Sequence, residues 1–405
     1  MHDIVVTGLG CISAAGHNIH EFSQQLFQSA QRYQPLFKPV SLFQSSMLDV
    51  PIAAEVSNYH AEQHFSQAQL NQYDRFTQFA LLASQQAIDD AKLIIEPQHS
   101  QRIGVVFGTG IGGQTTLEHA YQQLYLHQKN RVHPFTVPKL IPSAAASQIS
   151  IRFGITGPSF CTSSACSSSG HAIAMASMML RTGMLDVAVV GGAEACITDG
   201  NFLAWQGLRV MAKDSCRPFS AKRNGLVIGE GAGCMILETA AHAKRRNAST
   251  YANLIGIGMS ADAHNIVQPL IDGAKNAMQA ALLDAGCAAS QVDYINSHGS
   301  GTVQNDITEC QAIREVFQAH AQQLPMSSTK SLHGHMLGAG SVIEGIATIL
   351  SMQQQMVPPT RNFITADPNC SLDCVPNQPK PANINCAMSN SFAFGGLNTT
   401  LIFQR

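Results

Sequence analysis

Short runs of β-branched residues alternate with alanine-rich stretches along the whole chain, and this alternation constrains the fold more than any other feature. Ile4–Thr7, Ile103–Val106, Val187–Val190, Leu254–Ile257 and Val292–Asn296 have the length and composition of buried strands. Gln78–Ala91, His171–Arg181, Gly273–Ala285 and Ile343–Gln354 read as helices. Strands alternating with helices favour a mixed or parallel sheet covered by helices, an α/β body. Glycine and serine clusters follow many of the strands: Thr7-Gly8-Leu9-Gly10, Gly108–Gly113, Gly191-Gly192 and Ser297–Gly301. They predict loops at strand ends, where α/β proteins place their chemistry.

Only 12% of the 405 residues are charged, against about 25% in ordinary globular domains. So neutral a chain implies a large buried fraction and a subunit interface. No apolar run approaches the ~20 residues of a membrane span. The 24 Lys and Arg against 26 Asp and Glu leave a net charge of −2, which excludes a whole-molecule basic field for nucleic acid. Eleven cysteines, odd in number and spread singly, do not make a disulfide framework. The opening MHDIVVTGLG runs into a strand with no basic-then-apolar leader. A reduced, cytoplasmic protein is therefore expected. Lys244-Arg245-Arg246 closes a helix shortly before a new strand near Leu254. The predicted division falls there, giving halves 1–250 and 251–405, each with strands followed by helices.

Gly108–Gly113 lacks both the ending of a Walker loop and the three-glycine dinucleotide fingerprint. It reads as close backbone packing beside a cavity, with Ile111 projecting from a glycine frame. Cys166 follows a Ser/Thr run and precedes the apolar Ala172–Leu180. The run supplies N-caps, so the thiol falls near a helix start, where N–H groups lower a thiol's pKa and can hold an oxyanion. Taken alone, Cys166 also reads as one more buried small hydrophobe. His298 and His335 each stand at an element end beside glycines. A helix-start cysteine with two such histidines points to acyl transfer through a thioester. His333 and His335 with Cys370 and Cys374 match no zinc spacing, so no metal site is expected. Asp306-Ile307-Thr308-Glu309 has capping-box-like spacing before the helical run Cys310–His320. Asp306 and Glu309 read first as structure and second as organisers of the site.

These motifs, in this order, resemble the β-ketoacyl-acyl carrier protein synthase family of the thiolase-like superfamily. The resemblance covers nearly the whole chain. Val5–Gly10 is similar to the family's first strand and turn, and Ser164-Ala165-Cys166-Ser167-Ser168 to its nucleophile motif. Asn296–Thr302 and Ser328-Thr329-Lys330 through Gly334-His335 resemble its two histidine motifs, and Asn390–Asn398 its gating loop. The Cys-His-His set is similar to elongating synthases of types I and II. Gly110-Ile111-Gly112-Gly113 is similar to the type II form. Departures are Ser300 for the usual threonine, Ala393 for glycine, Leu397 for threonine and Asn224 for aspartate. Tyr59–Asp74 carries no Lys or Arg, where type II relatives often present basic residues. The serine-rich nucleophile motif and Gln304-Asn305-Asp306 look closer to specialised aryl-polyene or type II polyketide synthases.

The resemblance implies a thiolase fold, two similar halves in α-β-α-β-α layers. The assembly would be a homodimer, or a heterodimer with a chain-length-factor-like paralogue. It implies a decarboxylative Claisen condensation with Cys166 as nucleophile and His298 and His335 as enolate donors. Lys330 would set the local charge around His335, Glu344 would anchor the following helix and Lys330, and Phe394 would supply an oxyanion N–H. Phe392, Ala393 and Ile111 would gate the acyl pocket, and Ser300 and Thr302 would meet a pantetheine arm. The chain would need no cofactor of its own, because phosphopantetheine arrives on an acyl carrier protein. With no global basic field, docking of that acidic partner should rest on few charges. Lys129, Arg131 and Lys213, in polar segments, are the candidates, and they also read as ordinary solvated charges. Ala393 should stiffen the gate, since alanine tolerates positive φ poorly. The rivals are a non-catalytic chain-length partner, which lacks the nucleophile, and a thiolase acting on coenzyme A esters, which pairs it with a second cysteine.

Overall fold

The structure, a computed structural model, describes residues 2–29, 31–50 and 52–405. Ten strands form one sheet: β1 (Ile4–Ser13), β2 (Ile103–Gly108), β3 (Ser159–Thr162), β4 (Val187–Glu194), β5 (Gly231–Thr239), β6 (Ala252–Ala261), β7 (Tyr294–Asn296), β8 (Met326–Ser327), β9 (Cys386–Ala393) and β10 (Leu397–Gln404). Their order is β8-β7-β9-β10-β6-β1-β5-β4-β2-β3. Read outward from the centre, β1-β5-β4-β2-β3 repeats as β6-β10-β9-β7-β8. Both sets run antiparallel, antiparallel, parallel, parallel. The sets meet only where Val5 and Val6 pair with Asn253 and Ala252. The sheet is thus two similar halves joined by a narrow bridge.

That bridge leaves room for helices between the halves. Five helices matter here: α1 (Arg75–Asp90), α2 (Ser168–Arg181), α3 (Ile271–Ala285), α4 (Val303–Phe317) and α5 (Gly340–Gln354). α2 packs on β2 and β4 of one half and on β10 of the other, while α5 packs on β5 and on β9 and β7. α5 is buried on every side from Gly340 to Met352, as expected of a helix apolar all round. α1 covers the outer face of β1, β5 and β4, and α3, backed by α4, covers β6 and β10. The layers are therefore α-β-α-β-α, as the resemblance implies.

The expected helices form, each starting two or three residues earlier than its apolar pattern. At α1 the cause is Asp74, whose carboxylate accepts the N–H of Phe76 at 3.2 Å and caps the helix. The glycine turn expected at Thr7–Gly10 is absent, because β1 continues to Ser13. A Cβ on Gly8 would stand 2.2 Å from the Ala87 carbonyl oxygen, and one on Gly10 2.1 Å from that of Ala83. These glycines let α1 lie directly on the strand instead of turning the chain. Gly191 and Gly192 likewise lie inside β4.

Candidate active site

Cys166 lies on the turn between β3 and α2, and Ala165 before it is held in the left-handed region at φ 50°. A non-glycine residue there is strained, and such strain collects at functional turns. The thiol is 6% exposed, and its Sγ lies 3.0 Å from His335 Nε2. The expectation of a lowered thiol pKa fails. Burial pushes Cys166 up to about 11, while Lys330 and the backbone N–H of Phe394 pull the other way. Cys166 precedes the helix, which begins at Ser168, and the Ser167 side chain makes no capping bond. The resting thiol therefore keeps its proton, in contact with the His335 ring.

His298 follows β7. Its N–H and that of Gly299 both donate to the Glu309 carboxylate, each at 2.8 Å. His335 follows a one-turn helix, Lys330–His333, and donates its own N–H to the Val227 carbonyl at 2.7 Å. The two imidazole rings stand 5.5 Å apart, edge to face. Lys330 is the shared cation: Nζ donates to the His298 carbonyl at 2.6 Å, faces His298 Nδ1 at 3.3 Å and pairs with Glu344 on α5. Burial first, then Lys330, holds both imidazoles well below the ordinary histidine range, so both are neutral. Because the ammonium occupies His298 Nδ1, the single ring proton of His298 belongs on Nε2. Burial raises Glu344 to about 7 against the pull of Lys330.

The cavity above the thiol, about 110 Å³, is lined by Cys166, His298, His335, Phe392, Phe394 and Trp205, and also by Ser300 and Thr302. Phe392 stands 6.2 Å from the His298 ring, and Phe394 stacks on Trp205 at 5.8 Å. Ser300 and Thr302 hydroxyls bond each other at 2.9 Å. Ala393 adopts ordinary extended backbone, φ −98° and ψ 158°. Its expected stiffening of the gate has no basis in this conformation; the left-handed positions are Gly395 and Gly396. Ile111 packs in the apolar cluster that contains Cys166, Phe202 and Leu337.

Two further residues around the site carried no sequence signal. Glu194, fully buried, accepts from Thr109 Oγ1 at 3.0 Å and from the N–H groups of Gly110, Ile111 and Gly338 at 2.8, 3.2 and 2.9 Å. It ties the Ile111 loop to the turn after His335. Ser341 donates to the Cys166 carbonyl at 3.2 Å. A larger cleft, about 960 Å³, holds none of these groups. Lys129 and Arg131 line it with Lys139 and His119. Lys213 lies elsewhere, exposed, just past Val210 of the catalytic cavity. The three docking candidates are thus exposed but divided between two places.

The capping reading of Asp306 and Glu309 does not hold, since α4 already begins at Val303 and both lie inside it. Asp306 instead accepts from the N–H groups of Phe219 at 2.8 Å and Gly301 at 3.2 Å, with Arg223 Nε 3.6 Å away. Burial raises it to about 6 and Glu309 to about 7. Asp306→Ala is expected to destabilise the fold by about 3 kcal/mol, through two orphaned buried N–H groups and a buried arginine losing a partner. A urea melt with an unchanged slope would read it. Loss of activity at unchanged stability would instead make Asp306 part of the reaction.

The chain matches the family models "Beta-ketoacyl synthase, N-terminal domain" over residues 1–243 and "Beta-ketoacyl synthase, C-terminal domain" over residues 251–364. It is 40% identical over 402 residues to nodulation protein E of Rhizobium sp. (strain N33), covering 99% of each chain. It is 38% identical over 409 residues to 3-oxoacyl-[acyl-carrier-protein] synthase 2 of Staphylococcus aureus (strain COL), covering 99% of this chain and 98% of the relative. Among solved structures, the ishigamide ketosynthase/chain length factor superposes with a TM-score of 0.94 at 29% identity, over 100% of this chain and 99% of the other.

Proposed function

Because the chain belongs to the beta-ketoacyl synthase family, we propose that Cys166, His298 and His335 carry out its decarboxylative condensation of an acyl group with malonyl-carrier protein. The observation that carries this assignment is one cavity holding a thiol 3.0 Å from one neutral imidazole, a second imidazole 5.5 Å beyond, and a backbone N–H on the thiol. The chain is a condensing enzyme of the acyltransferase class with a thiolase fold. Residues 1–250 deliver the nucleophile and residues 251–405 the two histidines.

Acyl transfer forms the Cys166 thioester and releases the carrier's thiol. Malonyl-carrier protein then places its thioester oxygen between His298 and His335. The bond from its C2 to the carboxylate breaks, CO₂ leaves, and the electron pair becomes an enolate whose oxygen takes the two imidazole N–H bonds. Donors already aimed at a developing charge need no reorganisation, and this is usually the largest single catalytic contribution. The enolate carbon attacks the Cys166 thioester carbonyl, with the N–H groups of Cys166 and Phe394 holding the tetrahedral oxyanion. Collapse expels the Cys166 thiolate and leaves a β-ketoacyl chain on the carrier. Lys330 and Glu344 fix the field around the imidazoles, and Glu309 fixes the His298 backbone. The phosphopantetheine is the carrier's own, threading past Ser300 and Thr302.

The partner is an acyl carrier protein, and the assembly is a homodimer or a heterodimer with a chain-length-factor-like paralogue, as in the ketosynthase/chain length factor relative. No described helix is long and apolar enough to cross a membrane, and a cytoplasmic location is part of the proposal. A non-catalytic partner would not need Cys166, His298 and His335 together. The test is a product assay: acyl-carrier and malonyl-carrier protein should give one β-ketoacyl-carrier, two carbons longer, and one CO₂ per turnover. Acyl exchange onto coenzyme A without CO₂ would favour the thiolase reading.

Two results should define the substrate's two ends. Reversing Lys129, Arg131 and Lys213 to Glu should raise apparent KM for carrier-bound substrates by about tenfold, since three exposed pairs at about 0.5 kcal/mol each sum to about 1.5 kcal/mol, and about 1.4 kcal/mol is tenfold. Small thioester mimics should be unaffected, and an equal change for both would remove these cations from docking. Ile111→Phe should shorten the longest acyl chain loaded on Cys166, because the ring occupies pocket volume beside the thiol. Acyl-enzyme masses over a chain-length series read this, and an unchanged profile would take Ile111 out of the pocket.

A further inference from the structure

Ser167 stands directly after the nucleophile, at the position where α2 would be capped. Serine there normally accepts an N–H from the first helical turn. The Ser167 side chain makes no such bond. Its hydroxyl instead points away from its own helix, donating to the Ser391 carbonyl at 2.9 Å and the Leu397 carbonyl at 2.7 Å. It is fully buried, at 0% exposure. A hydroxyl has one proton, so the two acceptors share it. They are the two stems of the hairpin whose loop is Phe394–Gly396: Ser391 lies in β9 three residues before Phe394, and Leu397 opens β10 opposite Ala393.

The hairpin end between those stems carries Phe392, on β9 beside His298, and Phe394, in the loop, whose N–H faces the Cys166 thiol. Its tip, Gly395 and Gly396, supplies the conformational freedom. One side chain rooted in the nucleophile's own turn therefore holds both feet of the loop that covers the nucleophile. We propose that Ser167 is a positioning residue, clamping the neck of this loop so that the Phe394 N–H stays aligned on the Cys166 acyl oxygen while the glycine tip moves. The proposal rests on the reading of Cys166 as acyl acceptor and Phe394 N–H as oxyanion donor. Helix capping is given up for this contact, which makes the bond to the loop the side chain's principal use.

A misaligned oxyanion donor weakens the transition state more than the bound substrate. Ser167→Ala should therefore lower kcat for acylation and condensation by about tenfold or more, with KM within about twofold. Ser167→Thr, which keeps the hydroxyl, should recover most of the rate. Amide hydrogen exchange should speed up in the peptide spanning 391–400 and nowhere else. The control is Ser177→Ala on the same helix, where a buried hydroxyl has no partner to lose. Local loosening with a kcat loss in Ser167→Ala alone supports the clamp. Wild-type rates and exchange in Ser167→Ala overturn it, as does general loosening shared with Ser177→Ala. Wild-type acylation of Cys166, measured in the same series, separates the two claims. If the wild type forms no acyl-Cys166, the underlying reading fails; if it does and Ser167→Ala matches it, only the clamp fails.

Discussion

Cys166→Ala is expected to lose acyl transfer and condensation by roughly a thousandfold or more, the scale on which removal of a covalent nucleophile acts. Of the eleven free cysteines, Cys166 is the one placed between an imidazole and the Phe394 N–H. Cys11, Cys216 and Cys234 are likewise buried, but none of their thiols hydrogen-bonds an imidazole, and burial raises Cys216 and Cys234 to about 12 and Cys11 higher still. No other thiol can take over. Cys166→Gln should behave differently. Its amide carbonyl fits where the acyl carbonyl of the thioester would sit, against the N–H groups of Cys166 and Phe394, so the site enters its loaded state without a transferable chain. Malonyl-carrier protein should still be decarboxylated, to acetyl-carrier protein, with no condensation product. CO₂ release and carrier masses would show both halves of this result. Acyl label retained on Cys166→Ala protein would overturn the nucleophile assignment.

His298→Ala and His335→Ala should each cost about 10²–10³ in decarboxylation, the usual loss for one donor of an oxyanion pair. The thiol should remain open to a small alkylating reagent in both variants, because each substitution leaves Cys166 and widens the cavity it lines. The two need not be equal. His335 contacts Sγ at 3.0 Å, so its loss should also slow acylation. His298 is turned toward Lys330 and Phe392, and its loss should fall on the malonyl step alone. Equal acylation in His335→Ala and wild type would remove His335 from the first half-reaction.

The α/β class and the nucleophile-histidine set were legible in the sequence because each has a local signature. Alternating β-branched and alanine-rich runs give the layers, and Cys166 after its Ser/Thr run and the glycine-flanked His298 and His335 each stand at an element end. What was not legible depends on partners far along the chain. Glu194 reads as an ordinary acid until the N–H groups of Gly110 and Gly338 are seen to converge on it. Ser167 shows no role in the sequence because local spacing cannot show that Ser391 and Leu397 share its hydroxyl. Gly8 and Gly10 read as a turn because a glycine demanded by a helix lying on the strand looks the same as one demanded by positive φ. Asp306 and Glu309 matched a capping box by spacing, yet α4 begins three residues earlier and turns both carboxylates toward the loops after β7. Local pattern singled out the thiol and imidazoles that share one cavity, and long-range hydrogen bonds hold them in place.

The most direct test of the account is the mass of the enzyme after incubation with an acyl-carrier protein alone, followed by addition of malonyl-carrier protein. The account predicts a single acyl adduct, carried on the peptide containing Cys166, that is discharged when malonyl-carrier protein is added as CO₂ and a two-carbon-longer β-ketoacyl-carrier appear. An adduct on any other residue, or condensation product formed by Cys166→Ala protein, would contradict it.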